Sequence, residues 1–377
     1  MKVLFVTLDI YENVGGIERY NRNVIECLAT RDEVSRAVIL SLWDKDINNK
    51  SPRNNVCFRG LNRNKIKLLK EFIFHLILFR PNVIIYGHIL LSPLAVIARM
   101  LVRNSRQYTI IYGIEVWSKK FIPPGYKPTS HFVVWLAKTF CDHFISVSEF
   151  TIKAAMDAYD IPGEKCFLLP CSIGLWRENI EEPQKKTSRG HILLTVARLD
   201  AYKGVDKVIR ALPAIISEFP DVEYWIIGDG PFRQEYQRLA ERLEVDQYVR
   251  FMGKVDDQVL SRIYREASLF VMPSSGEGFG IVFLEAWQRA LPVIAGNADA
   301  SAETIGTCGI IVEVDNIQSI ADAVKRLLSD EVLSQTLGKK GYDRLINHFT
   351  LDKFCDTLFQ IMSPPQKAEH YEPKAGR

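Results

Sequence analysis

The chain has 377 residues, 48 Lys+Arg against 45 Asp+Glu, and 47% apolar residues, the composition of a globular protein long enough for two domains with separate cores. A formal net charge of +3 argues against a dedicated nucleic-acid binder, for which a strongly basic balance is expected. The seven cysteines form no C-x-x-C pair and no regular spacing, so free thiols in a reducing cytoplasm are the expectation.

The first ten residues hold a short apolar stretch, but Asp9 and Glu12 interrupt it too early for a signal-peptide core, and 3–8 reads as a buried strand. A helix is expected over 17–29, where Ile17, Tyr20, Val24 and Leu28 recur at helical spacing. Further strands are expected at 37–42, 82–86, 108–112, 143–147 and 166–169, with helical patterns between most of them. Parallel strands need crossover connections, so this alternation predicts a Rossmann-like unit. The longest apolar runs, 72–79 and 89–98, fall far short of the roughly 20 residues that span a bilayer.

Residues 178–190 turn polar and lose periodicity, the composition of a linker. Alternation then restarts, with strands expected at 191–197, 222–228, 248–252, 269–272, 293–295 and 310–314, and clear helices at 204–218 and 280–290. The expected organisation is a first Rossmann-like, acceptor-binding domain over 1–177, a linker over 178–190, and a second, donor-binding domain over 191–350. A helix over 351–362 is expected to pack back on the first domain, and 363–377 is expected to be a disordered tail. In open α/β sheets ligands bind at the carboxyl ends of the strands, so the two domains are expected to face each other across a cleft that holds the site.

The most informative stretch is PSSGEGFGIVFLEAWQRALP, 273–292. Glu277 lies in a Gly-rich loop after a strand, and Glu285 lies on a helix that is apolar nearly all round, so Glu285 is expected to be buried. A buried carboxylate needs a partner. An arginine or a backbone donor would satisfy it, and so would the vicinal hydroxyls of a sugar or ribose. Gly278 and Gly280 let the backbone approach a ligand. Arg198 and Lys203 follow a strand and precede a helix start at Gly204; cations there oppose the helix dipole and make more sense facing an anion.

Glu277 and Glu285, with Gly278-Phe279-Gly280 between them, resemble the E-x7-E motif of retaining glycosyltransferases of family 4, whose fold is GT-B. The segment from Val196 to Gly204 is similar to the one whose Arg and Lys, here Arg198 and Lys203, hold the donor diphosphate in that family. Gly228-Asp229-Gly230-Pro231 resembles the family's GxGP turn, and 251–255, ending at Val255, its base-binding strand end. The resemblance covers nearly the whole chain. It implies transfer of a sugar from a UDP- or GDP-sugar to an acceptor hydroxyl with retention. Glu277 would then contact the donor sugar and Glu285 the ribose diol, with Arg198, Lys203 and Glu277 as the catalytic set and no metal or other cofactor.

In the first domain, Gly15-Gly16 follows the first strand, and the resemblance puts Gly16 over the donor phosphates and Arg19 near the acceptor. His88 and Glu115 follow strands, and Tyr112 stands where the family commonly has the His of His-Gly-x-Asp/Glu. A second departure is Leu169-Pro-Cys171-Ser-Ile-Gly174 in place of the family's Asn-Gly-x-Asp turn, and Glu303 resembles a later family Glu. The one Asp-x-Asp, Asp44-Lys45-Asp46, opens a very polar stretch and is expected to be a solvated loop.

Between Lys50 and Lys138 stand 15 Lys+Arg and two acidic residues, including the basic, apolar helix candidate KIKLLKEFIFHLILFR at 65–80. This stretch is expected to offer a peripheral surface to an anionic membrane, on its cytoplasmic face, for a lipid-linked or envelope-glycan acceptor. A nucleotide-sugar epimerase on the same fold and a catalytically impaired nucleotide-sugar-binding protein remain alternatives. A Rossmann oxidoreductase is disfavoured because no G-x-G-x-x-G follows the first strand.

Overall fold

The computed structural model describes residues 1–13, 15–45, 55–117, 129–174 and 190–363. The expected linker and tail, apart from Gly190 and Ser363, lie outside the described residues. The described residues form two compact units, one ending at Ser172 and resuming at Leu351, the other running from Ile173 to Thr350.

The first unit alternates β1 (Lys2–Thr7), α1 (Gly16–Thr30), β2 (Arg36–Ser41), β3 (Val56–Gly60), α2 (Lys65–Leu78), β4 (Val83–Tyr86) and α3 (Leu94–Leu101). It continues with β5 (Arg106–Ile111), α4 (His131–Phe140), β6 (His143–Ser146), α5 (Glu149–Tyr159) and β7 (Cys166–Leu168). All seven strands are parallel, in the order β3-β2-β1-β4-β5-β6-β7. The central strands are buried on both faces, which is why they read as continuous apolar runs. Strand β3 has no counterpart among the expected strands. VCFRG is an edge strand with alternating burial and an exposed Arg59, so it carries little apolar signal.

The second unit holds β8 (His191–Val196), α6 (Val205–Ile216), β9 (Val222–Ile227), α7 (Arg233–Arg242), β10 (Val249–Gly253), α8 (Asp257–Glu266) and β11 (Leu269–Met272). There follow α9 (Ile281–Trp287), β12 (Val293–Gly296), α10 (Ser301–Ile305), β13 (Ile310–Val312), α11 (Ile317–Ser329) and α12 (Glu331–His348). Its six parallel strands run β10-β9-β8-β11-β12-β13. Helix α6 buries Val205, Val208, Ile209 and Leu212, and these join Leu193, Tyr224, Ile226 and Val271 in one core.

The last helix, α13 (Leu351–Met362), belongs to the first unit and packs on α1. Phe354 meets Tyr20 edge to face at 5.0 Å, and Tyr108 Oη donates to the Ile361 carbonyl at 3.1 Å. Cys27 and Cys355 form a disulfide across this contact, with Cα atoms 5.2 Å apart. This corrects the expectation of seven free thiols. The two cysteines are 328 residues apart, and only the return of α13 to α1 makes them neighbours. Cys57, Cys141, Cys166, Cys171 and Cys308 are free.

Helix α2 spans Lys65 to Leu78 with Asn64 as its N-cap, accepting from Lys67 N at 2.9 Å. It buries Leu68, Phe72 and Leu76, and leaves Ile66 70%, Phe74 53% and Leu78 65% exposed beside Lys65, Lys67 and Lys70. Among the described residues no helix is long and apolar enough to cross a membrane.

Candidate active site

In each sheet the chain returns to the middle and continues on the other side, so the strand order reverses once. The reversals fall between β1 and β4 and between β8 and β11. Loops leaving the carboxyl ends of those strands splay apart and leave a crevice for ligands. In the second unit these are the loops of Arg198, Lys203 and Glu277; in the first, one leads into α1, which begins at Gly16 and carries Arg19, and the other carries His88.

The two loops of the second unit are held together by glycines and backbone bonds. Gly204 has φ +74°, and a Cβ there would lie 2.3 Å from the Pro273 carbonyl oxygen. Ser275 N donates to the Tyr202 carbonyl at 2.8 Å, and a Cβ on Gly276 would meet the Tyr202 ring at 2.5 Å. As a result Lys203 Nζ forms an ion pair and hydrogen bond with Glu277 Oε1, with both side chains only 14% exposed. Arg198 stays 65% exposed, its Nε 3.4 Å from Asp200 Oδ2. Gly230 presses this loop from the other side, since a Cβ there would lie 2.6 Å from Leu199 N, and Leu199 N donates to the Asp229 carbonyl at 3.1 Å. Val255 follows β10 and is half-buried.

Glu277 is also fixed through its backbone. Its N–H donates to Asp299 Oδ2 at 2.7 Å, and Ser301 N donates to Asp299 Oδ1 at 2.8 Å. Burial, with the Glu277 charge adding to it, pushes the Asp299 carboxyl up to about 6, against the pull of the hydrogen bonds it accepts. Gly278 is half-buried, and Phe279 is buried against Phe349 with ring centres 5.5 Å apart. Gly280 has φ +90°, and a Cβ would strike the Phe283 ring at 2.5 Å. The chain then enters α9, where Glu285 is 3% exposed and accepts from Tyr264 Oη at 2.8 Å. The expectation of a buried, partnered Glu285 is met by a tyrosine hydroxyl.

In the first unit, Gly16 opens α1 and is exposed, and Arg19 N donates to the Gly15 carbonyl at 3.1 Å. His88 follows β4, and its Nδ1 accepts from Leu90 N at 3.2 Å. Burial lowers its pKa, partly offset by Glu115, so the ring is neutral at pH 7 with its proton on Nε2. The Tyr112 ring centre lies 6.2 Å from that of His88. Its hydroxyl has one proton and two inward acceptors, Asn21 Oδ1 at 2.9 Å and the Gly87 carbonyl at 3.1 Å. Burial holds the phenol well above its ordinary range. Glu115 accepts the Tyr112 N–H on its carboxylate and the Thr129 N–H, at 3.2 Å, on its backbone carbonyl. Asp44 is fully buried and accepts from Ile10, Tyr11 and Glu12 N, each at 2.9 Å, and from Ser41 Oγ. This corrects the solvated-loop expectation for Asp44, which instead shapes the turn after β1; Asp46 lies outside the described residues.

Two family models cover most of this architecture. One, described as Glycosyltransferase Family 4, matches 14–177, and the other, Glycosyl transferases group 1, matches 177–344. The chain belongs to the GT4-type glycosyltransferases. Among curated relatives, this glycosyltransferase is 26% identical to a GDP-mannose-dependent monoacylated alpha-(1-6)-phosphatidylinositol monomannoside mannosyltransferase of Corynebacterium glutamicum, over 90% of this chain and 92% of that protein. It is 29% identical to the lipopolysaccharide core biosynthesis glycosyltransferase LpsE of Rhizobium meliloti, over 46% of this chain and 49% of that protein. Two solved structures share the fold at a TM-score of 0.77. Sucrose-phosphate synthase of Thermosynechococcus elongatus does so at 19% identity over 96% of this chain and 98% of that one. Anabaena HepE, solved with UDP and glucose, does so at 18% identity over 97% and 100%. The fold is GT-B.

Within the glycosyltransferase, sequence reasoning overlooked Asp299, Tyr264 and Asn21. Asp299 stands two residues before Ser301, where α10 begins, and carboxylates at helix starts commonly accept backbone N–H groups. Tyr264 lies on the buried face of α8 and offers no signal beyond its apolar spacing. Glu303 is half-buried on α10, where its backbone carbonyl accepts from Arg344 Nη2 at 3.2 Å.

Proposed function

We propose that the chain transfers a sugar, with retention of configuration, from a nucleoside-diphosphate sugar to a hydroxyl of a lipid-linked or envelope glycan. The observation that carries this reading is the Lys203–Glu277 pair beside exposed Arg198 at the switch point of the second sheet. A cation held by a carboxylate and edged by a second cation suits a diphosphate that shares Lys203 on arrival. Each such charge-assisted contact is worth about 1.5–3 kcal/mol. Glu277, released in part, accepts from hydroxyls of the donor sugar, and Glu285 accepts from the ribose diol.

The bond from the sugar's anomeric carbon to the diphosphate oxygen breaks as the bond to the acceptor oxygen forms on the same face. The leaving phosphate oxygen takes the acceptor proton. Arg198, Lys203 and the N–H groups of 278–280 stabilise the charge that develops on the diphosphate, the electrostatic preorganisation that dominates many enzymes. In the first unit, His88, neutral with a proton on Nε2, is one hydrogen-bond donor available to a sugar oxygen. No divalent metal takes part, because the two cations supply the positive charge. The name of the Corynebacterium relative makes GDP-mannose the first donor to test, and a further HepE structure, solved with UDP-glucose, adds that donor. Nucleotide release is measured over a panel of UDP- and GDP-sugars with and without glycan acceptors. Acceptor-dependent release of GDP or UDP supports transfer; interconversion of the donor without an acceptor supports an epimerase; binding without either supports an impaired protein.

The acceptor reading includes an anionic membrane surface. The exposed Ile66, Phe74 and Leu78 beside Lys65, Lys67 and Lys70 on α2 combine apolar area with positive charge, as interfacial helices do. Each Lys near an anionic leaflet adds about 1 kcal/mol. Changing Lys65, Lys67 and Lys70 to Glu is expected to abolish flotation with anionic liposomes, and unchanged flotation would refute this part of the reading.

A further inference from the structure

At the amino-terminal end of the first sheet, opposite the loops of His88, Tyr112 and Glu115, lies a pocket of about 310 Å³. It is lined by Arg99 from α3, Arg103 and Arg106 at the entry to β5, Asp142 and His143 at the start of β6, and the end of α13. Strand β5 has six residues, so the pocket stands roughly 20 Å from the β5 loop that carries Tyr112.

The charges do not cancel. Asp142 is fully engaged: Oδ1 accepts from Arg99 Nη2 at 2.7 Å and Oδ2 from Gln107 N at 2.8 Å. Arg99 also donates to the Phe140 carbonyl at 2.9 Å. Among the described residues Arg103 and Arg106 form no ion pair, and Nη1 of Arg106 is buried without a hydrogen-bond partner. Such an orphaned donor is costly, more so when charged, and buried polar groups in folded proteins are nearly always satisfied. The wall beside it is aromatic: Tyr108 stacks on His143 at 5.5 Å, and Phe167 lies 5.0 Å from His143. Two uncompensated guanidiniums at the rim of a pocket this size fit a phosphoryl group, which arginine can bind through paired N–H groups.

We propose that this pocket is a second phosphate-binding site, distinct from the donor-diphosphate residues, for a phosphomonoester or diphosphate carried by a free metabolite or by a lipid headgroup. A ligand there bridges Arg106 at the start of β5 and the end of α13.

The test uses the full chain. To remove the donor site, Arg198→Ala/Lys203→Ala protein is titrated with pyrophosphate by calorimetry at constant ionic strength, with and without Arg103→Gln and Arg106→Lys. To remove the α2 face, Lys65→Glu/Lys67→Glu/Lys70→Glu protein is floated with phosphatidylinositol-phosphate vesicles and with phosphatidylserine vesicles of equal charge, with and without the same two changes. At least a tenfold loss of pyrophosphate affinity identifies a soluble ligand. Loss of the preference for phosphatidylinositol phosphate identifies a headgroup. If neither binding responds to the arginine changes, the proposal is overturned. Arg103 is exposed, so Arg103→Gln alone serves if the double variant does not fold.

Discussion

Asp299→Asn separates what burial costs this carboxylate from what its hydrogen bonds contribute. Asp299 accepts two backbone N–H groups, from Glu277 and Ser301, and is 3% exposed. Its pKa rises from 3.8 to about 6 in the folded chain, first through burial and then through the Glu277 charge. Because the folded value lies above the unfolded one, the native state holds the extra proton between pH 3.8 and about 6. Stability is therefore greatest below that window and declines as pH rises through it. At 1.36 kcal/mol per unit the full decline is about 3 kcal/mol, most of it between pH 4 and 7.5. Asparagine does not titrate. Its single oxygen can keep one of the two N–H groups, and leaving the other unpaired costs about 1–3 kcal/mol at every pH. In urea unfolding the variant is thus expected to gain roughly 2–3 kcal/mol on the wild type between pH 4 and pH 7.5. A gap between the two that does not change with pH would refute the reasoning. Because the same change loosens the Glu277 backbone, the donor KM is expected to rise in the variant.

Lys203→Ala removes one charge-assisted contact to the donor diphosphate and should weaken donor affinity about ten- to a hundredfold; unchanged affinity by calorimetry would remove Lys203 from the site. Glycosyl transfer is expected to survive a chelator, and loss of activity restored by manganese would show that the two cations do not suffice. Cys27→Ser should lower the stability of the first unit by about 2–4 kcal/mol, read as a shift in urea midpoint. Identical midpoints for the wild type with and without reductant would show that the disulfide contributes nothing.

Both sheets were legible because their central strands are buried on two faces and so read as apolar runs, as at Val83–Tyr86 and Leu269–Met272. Glu277 and Glu285 were legible because a carboxylate amid GFG and on an apolar helix is anomalous unless it has a partner. Tertiary partnerships were hidden. Nothing near Cys27 points to Cys355, and nothing near Asp44 shows that three backbone N–H groups of 10–12 will close on it. Tyr112 illustrates the same limit, because its hydroxyl is turned inward by Asn21, a residue 91 positions away.

The return of α13 to α1 also has a consequence for how the chain is made. The first unit begins at Met1 but is completed by residues after Thr350, so the second unit is an insertion within it. A ribosome releases every residue of the second unit before it supplies Phe354 and Cys355, the partners of Tyr20 and Cys27. Until then the face of α1 that takes Phe354 and Cys355 stays uncovered on the nascent chain. Premature termination near the end of the message would damage the beginning of the protein.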